Sequence, residues 1–136
     1  MNVLKNFSGI FLSLLLYAFL LTAHAGEEGG KEGKDNLHSK VEAIIVNLQG
    51  EAKQYLQVEL VLALAKPEVD DKIKKYMPVI RHKLIYLLSS KDGGQPGSNE
   101  GKLKLAQEAR SAINGALELP DKDGVTDVLF NSFIIQ

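Results

Sequence analysis

The chain has no cysteine and no tryptophan, and only three histidines among its 136 residues. The lack of cysteine excludes disulfides, thiolate metal sites and cysteine nucleophiles. The histidines are His24, His38 and His82, and none has a second histidine or a carboxylate cluster at metal-ligand spacing. We therefore predict no metal site and no cofactor.

The sequence also has no large excess of positive or of negative charge. The chain carries 16 Lys and Arg against 17 Asp and Glu, a formal net charge of −1. No basic patch dominates the sequence, which argues against nucleic acid as a partner. The length fits a single domain.

Residues 1–25 have the composition of a targeting segment. Lys5 is the only charged residue before Glu27, and Ser13 is the only interruption of the apolar residues 10–21. Ala23 and Ala25 form an A-x-A ending, which is typical of a signal peptide cleaved after Ala25. The alternative is a retained membrane anchor formed by residues 6–26. Both interpretations place residues 26–136 outside the cytoplasm.

Residues 26–40 are predicted to be a flexible linker, and residues 41–136 a folded domain. The linker has four glycines, many charges and almost no apolar side chain, so it cannot bury surface. We assign His38 to this linker as a solvated residue. The domain opens with a predicted strand at 41–48, a turn at 49–51 and a longer strand at 52–65. The second strand alternates cleanly and predicts one apolar face, formed by Leu56, Val58, Leu60, Leu62 and Leu64.

Two helices are predicted next. The first begins at Pro67, reaches about Ser89, and is broken or kinked at Pro78. Its predicted buried stripe is Val69, Ile73, Met77, Ile80, Leu84 and Leu87. Acidic residues precede basic ones at i,i+4 spacing, in the pairs Glu68–Lys72, Asp70–Lys74 and Asp71–Lys75. The second helix is capped by Ser98 or Asn99 and reaches about Leu117, with an inner stripe of Leu103, Ala106, Ala109 or Arg110, Ile113 and Leu117.

The last nine residues, 128–136, are predicted to form a terminal strand. Strict alternation places one set of side chains on one face and a second set on the other: Val128, Phe130, Ser132 and Ile134, against Leu129, Asn131, Phe133 and Ile135. The order β-β-α-α-β, with a kinked first helix, predicts a small two-layer α+β domain in which the terminal strand joins the first hairpin.

No constellation of an active site is evident. A serine–histidine relay of His82 with Ser89 or Ser90, two helical turns apart, is the one catalytic arrangement that the spacing permits, and it defines a hydrolase alternative. The glycine-rich segment 91–98 does not match a phosphate-binding loop. A domain with a core and no convergent polar groups is better interpreted as an interaction module, with no catalytic, cofactor or metal residues and no small-molecule substrate.

Several stretches, in this order and spacing, resemble the flagellar basal body-associated protein FliL family. They are residues 44–48, 55–64, 77–81, 85–91, Gly101 and Lys102 with the helix that follows, and the terminal VLFNSFIIQ. The resemblance implies a periplasmic α+β domain similar to the stomatin or SPFH fold, on the periplasmic face of the inner membrane at the flagellar base. It also implies association with the stator proteins MotA and MotB and with the basal body. Ring-like homo-oligomers and a non-enzymatic role in flagellar rotation, swimming or swarming and chemotaxis belong to the same expectation.

One further alternative comes from the leader. If the chain is cleaved after Ala25, residues 26–136 form a soluble periplasmic protein, and a binding or scaffold role unrelated to motility becomes the competing hypothesis.

Overall fold

The computed structural model describes residues 37–136, so the predictions for the leader and for most of the linker lie outside the described residues. The elements are β1 (His38–Asn47), β2 (Tyr55–Leu64), α1 (Glu68–Ser89), α2 (Asn99–Leu117) and β3 (Val125–Ile135). The predicted β-β-α-α-β order and the α+β class are confirmed. The first strand begins three residues before the predicted Val41, so His38 lies in β1 and not in the linker, and Ser39 is buried.

The three strands form one antiparallel sheet in the order β1-β2-β3. β2 is the central strand, and the five leucine and valine side chains predicted for its inner face are all buried. The return of β3 to the hairpin after the two helices is also confirmed. Alternation held in β2 because it is paired on both sides, and a strand constrained in this way keeps its period of two.

Both edge strands carry β-bulges that β2 lacks. In β1 the register slips between Val41 and Ile44, and in β3 it slips at Thr126 and again at Asn131. Each bulge inserts one extra residue and reverses the faces that follow it. Two successive inward side chains, Val41 and Ile44, are therefore three residues apart in β1. The same interval separates Val125 and Val128 in β3.

Strict alternation in the terminal strand is consequently wrong beyond Phe130. After the bulge at Asn131, Phe133 and Ile135 join Phe130 against the core, whereas Ile134 is exposed. The rings of Phe130 and Phe133 meet edge to face with their centroids 5.0 Å apart, which requires that they share a side of the sheet.

The two helices cover one face of the sheet. α1 packs mainly on β1, and α2 packs on β3 and on α1. The α1 stripe is confirmed at Val69, Ile73, Ile80 and Leu84, with Leu88 as an additional buried residue. Pro78 lies inside a single continuous helix, so the predicted break is wrong. The buried residues on both sides of Pro78 contact one common core, and this packing outweighs the hydrogen bond that proline cannot donate.

The predicted inner face of α2 needs a correction. Leu103 is 69% exposed, whereas Leu105 is buried and is followed at helical spacing by Ala109, Ile113 and Leu117. Gly101 explains which side of α2 faces inward, since a Cβ atom built on it would lie 1.7 Å from the carbonyl oxygen of Gln95. The face bearing Gly101 must therefore press against the preceding loop, and Leu105, one turn later, continues that face inward. Ser98 caps the helix as predicted, accepting from the Gly101 N–H at 2.9 Å.

Candidate interaction surface

The edge strand β1 is held by side chains of α1 at its start and at its midpoint. Nη1 and Nη2 of Arg81 donate to the carbonyl oxygens of Glu42 and Ala43, each at 3.1 Å. These two carbonyls belong to the β1 bulge, so the guanidinium satisfies main-chain groups that the irregular register leaves without a ladder partner. The polar edge of β1 is therefore occupied at its midpoint.

A second contact holds the start of β1. The Asp70 carboxylate of α1 accepts from Lys74, 2.7 Å away, and from the buried hydroxyl of Ser39. Burial of this carboxyl raises its pKa, but the hydrogen bonds from Lys74 and Ser39 and the charge of Lys74 lower it more, so the pKa lies below its ordinary value of 3.8. The predicted Asp70–Lys74 pair is thus confirmed, and it also fixes the edge strand.

The other edge strand, β3, is held at its two ends. At its start, Asn114 of α2 is buried, donates to Asp121 and to the Val125 carbonyl, and accepts from the Val125 N–H, each at 2.8 Å. Arg110 adds a bond to the Thr126 carbonyl at 3.2 Å. At its end, Tyr55 and Gln136 exchange two main-chain hydrogen bonds, and the Tyr55 hydroxyl donates to the Gln136 side chain.

Between these ends the outer edge of β3, on the side away from β2, is not bound by other elements of the described domain. Within residues 37–136, no hydrogen bond joins a side chain of another element to the main chain of residues 129–135. The helices leave the opposite face of the sheet uncovered, and apolar side chains reach solvent there: Ile45 is 63% exposed, Leu129 46% and Ile134 40%. Ile45 and Ile134 flank Gln57 in one row across the sheet. Exposed apolar side chains beside an unpaired edge have the composition of a protein contact surface.

A shallow depression of about 370 Å³ interrupts this open face at the β1 bulge. Lys40, Glu59, Val61 and Asn131 are among its lining residues, and the Asn131 amide donates to the Glu59 carboxylate at 3.1 Å. Charged and apolar positions alternate around the depression. That arrangement suits a polar main chain or side chain of a partner better than an enclosed small molecule.

The candidate catalytic residues do not form a relay. The Ser89 hydroxyl donates to the Tyr86 carbonyl at 3.2 Å, and the Ser90 hydroxyl donates to the Leu87 carbonyl at 2.6 Å. His82 is exposed on α1, and no hydrogen bond in the described part of the chain joins it to either serine. The geometry therefore provides no activated nucleophile at these positions.

Two kinds of feature are absent from the described range. Among residues 37–136 there is no cluster of three or more histidine or acidic side chains suited to a metal ion. None of the helices in that range combines the length and the apolar character needed to cross a membrane.

Three residues that position the strands and helices of this domain were missed by sequence reasoning. Asn114 is a polar residue within the buried α2 stripe. A polar side chain at such a position usually has a specific hydrogen-bond partner, and this signal could have identified it. Gly101 lies in the first turn of a helix, where glycine is costly unless another group needs the space. Arg81 carries no comparable signal, because a basic residue on a helix flank is ordinary.

Comparison with protein-family models matches residues 38–136 to the family described as "Flagellar basal body-associated protein FliL". The matched range begins at the first residue of β1 and includes every element of the described domain. The chain belongs to the FliL family. FliL membership thus accounts for the whole folded domain and leaves residues 1–37 outside the match.

Curated FliL proteins are similar to this chain over the same region. The flagellar protein FliL of Aquifex aeolicus (strain VF5) is 36% identical over 93 residues, which is 68% of this chain and 56% of that protein. The flagellar protein FliL of Escherichia coli (strain K12) is 30% identical over 97 residues, 71% of this chain and 62% of that protein. The similarity therefore spans less than two thirds of the length of these relatives.

Proposed function

We propose that this protein is a non-enzymatic accessory component of the flagellar motor, which contacts the stator and the basal body and supports rotation, swimming or swarming, and chemotaxis. The observation that carries the proposal is the match of residues 38–136 to a basal body-associated family. The hydrogen bonds of Ser89 and Ser90 to their own helix support a role without catalysis. The domain works on the periplasmic face of the inner membrane, held by residues 6–26.

Its contact with the motor is proposed to use the open length of β3 and the uncovered face of the sheet. An unpaired strand accepts an extended segment by main-chain hydrogen bonds, and neighbouring exposed side chains supply specificity. Leu129 and Ile134 occupy the positions for such contacts. Packing of copies side by side into a ring that supports the active stator is part of the same proposal.

The first test is swimming in soft agar and in viscous medium, with three strains compared: the parent, a clean deletion, and the deletion complemented by the full chain. The proposal expects normal filaments with lost or load-sensitive swimming after deletion, and recovery after complementation. Unchanged swimming of the deletion strain in both media contradicts the motor role.

The second test locates the contact. Because the sequence has no cysteine, an introduced cysteine is the single thiol that a maleimide can label in it. A single cysteine is introduced by Ile134→Cys on the open face, with Leu103→Cys on exposed α2 as the matched control, and a bifunctional maleimide is applied to cells. Stator, basal-body or self adducts specific to position 134 support the proposed surface. Equal adducts at both positions place the contact elsewhere.

A second candidate, a soluble periplasmic binding or scaffold protein unrelated to motility, is favoured by the A-x-A ending at Ala23 and Ala25. The mature N-terminus separates the two. A protein that begins at Gly26, is released by osmotic shock and is dispensable for swimming supports this candidate. An intact N-terminus in the membrane fraction argues for the anchored motor component.

A further inference from the structure

The charges of the folded domain are divided unevenly among its elements. Residues 37–136 contain 13 Lys and Arg and 13 Asp and Glu, so the domain as a whole is neutral. Five of these basic residues fall within 72–83 of α1, and no acidic residue occurs between Asp71 and Asp92. A neutral average therefore conceals a helix that is basic over most of its length.

The basic residues of α1 differ in what they contact. Lys74 pairs with Asp70, and Arg81 binds the β1 carbonyls. No ion pair within residues 37–136 engages Lys72, Lys75 or Lys83, so the predicted pairs Glu68–Lys72 and Asp71–Lys75 do not form there. Lys75 and Lys83 are exposed and Lys72 is half-buried, and no ion pair in the described domain neutralises any of the three.

The three lysines share one outward face with apolar and aromatic side chains. Lys72, Lys75, Val79, Lys83 and Tyr86 recur at steps of three or four residues on one side of α1, beside the buried stripe. We call these five residues the basic–aromatic stripe. Tyr86 is 77% exposed and Val79 43%, although side chains of this kind are usually covered. The stripe is about 21 Å long, which corresponds to four turns of a helix.

A groove runs beside the stripe, between α1 and α2. Its volume is about 510 Å³, and its lining residues are His82, Lys83, Tyr86, Leu87, Ser90 and Ala112. Leu87 and Ala112 are only partly exposed and form an apolar floor, whereas His82 and Lys83 are exposed on its rim.

We infer that this groove and the basic–aromatic stripe dock an acidic amphipathic helix of a protein partner. The uncompensated lysines select negative charge, and the recessed floor selects small or branched apolar side chains at helical spacing. A lipid surface is the less suitable occupant, because a flat bilayer cannot fill a groove between two helices. The inference does not rest on the motor role, and it concerns the helical layer and not the sheet surface.

The test uses the full chain in cells, with the photo-crosslinking residue p-benzoylphenylalanine replacing Tyr86, and the same residue replacing exposed Leu103 as the control position. Each is combined with Lys75→Glu and Lys83→Glu, or with Lys53→Glu and Lys122→Glu as a charge-matched control outside the stripe. The site of attachment in the captured partner is mapped by mass spectrometry.

The expected result is a protein adduct specific to position 86, attached within an acidic helical segment. Reversing Lys75 and Lys83 lowers its yield at least about fivefold, because like charges then face each other. Reversing Lys53 and Lys122 leaves the yield unchanged, and replacing the mapped acidic residues by lysine restores capture by the Lys75→Glu, Lys83→Glu chain. A phospholipid adduct, attachment within a neutral or basic segment, insensitivity to the stripe charges, or no adduct above that at position 103 overturns the inference.

Discussion

The two edge strands of this sheet are secured in opposite ways. β1 is fixed at its start and at its middle by side chains of α1, through Asp70 and Arg81. β3 is fixed at its start by Asn114 and at its end by Tyr55, with its middle left open. An edge strand needs its main-chain groups satisfied or protected. The difference shows that β1 is fixed along its outer edge by α1, whereas β3 keeps a length of outer edge that no side chain of another element within residues 37–136 binds.

The largest expected effect comes from releasing the start of β3 by Asn114→Ala. The substitution removes both bonds to Val125 and leaves its N–H and carbonyl unsatisfied in a buried position. We expect a loss of about 3 kcal/mol in the free energy of unfolding. Urea denaturation followed by circular dichroism measures it.

The control for this prediction is Asn131→Ala, which removes one exposed bond to Glu59. It is expected to change the free energy of unfolding by less than about 0.5 kcal/mol. Equal losses for the two variants would mean that the start of β3 is not fixed by Asn114.

Breaking the midpoint contact of β1 by Arg81→Ala is expected to cost about 1–2 kcal/mol, because two main-chain carbonyls lose their donors. Arg81→Lys recovers only part of the loss, since an ammonium cannot match the guanidinium fork. Amide hydrogen exchange is the sharper measurement. Protection should fall in β1 and remain unchanged in β3, and a uniform fall across both strands would contradict local clamping.

The contact at the start of β1 is expected to depend on pH. Because the folded-state pKa of Asp70 is lowered, its stabilising contribution is complete above its ordinary value of 3.8 and is lost as the pH falls through the folded pKa. The difference in urea midpoint between the parent and Asp70→Asn should therefore be constant from pH 7 to about pH 5 and shrink below about pH 4.

The neighbouring variant Asp71→Asn, at an exposed position, serves as the comparison. Its midpoint should differ little from that of the parent throughout. A difference for Asp70→Asn that persists undiminished at low pH would show that the carboxylate charge is not what holds Ser39.

The smallest effect on stability is expected on the open side of β3. Leu129→Lys and Ile134→Lys alter exposed side chains, and each should change the free energy of unfolding by less than about 0.5 kcal/mol. Swimming and partner crosslinking should nevertheless fall if this surface contacts the motor. Stable variants with parental swimming and crosslinking would contradict the proposal that the open side of β3 contacts the motor.

Sequence reasoning succeeded where local pattern and tertiary packing agree. The inner face of β2, most of the α1 stripe and the Asp70–Lys74 pair follow from periodicity and spacing alone. It failed where a distant group decides the outcome. The bulges depend on the register of the neighbouring strand, the phase of α2 depends on the Gln95 carbonyl, and continuity through Pro78 depends on a shared core.

The interaction surfaces were less predictable than the fold for the same reason. Arg81 and Asn114 act on main-chain groups far away in sequence, at Glu42, Ala43 and Val125. The charge asymmetry of α1 is visible in the sequence. The fold adds that Lys72, Lys75 and Lys83 form no ion pair with any other element among residues 37–136.

The bulge at Asn131 gives β3 one residue more than regular pairing with β2 requires. Loss of Asn131 alone would restore regular alternation after Phe130 and leave Phe133 and Ile135 against the core, with Ile134 on the other face. Regular pairing of every residue after Phe130, with Asn131 kept, would instead turn Phe133 and Ile135 to solvent. Among related chains, a gap of one residue between Phe130 and Phe133 should therefore mark a strand without the bulge and with the same inward side chains, whereas a regular strand without that gap should mark a rebuilt surface.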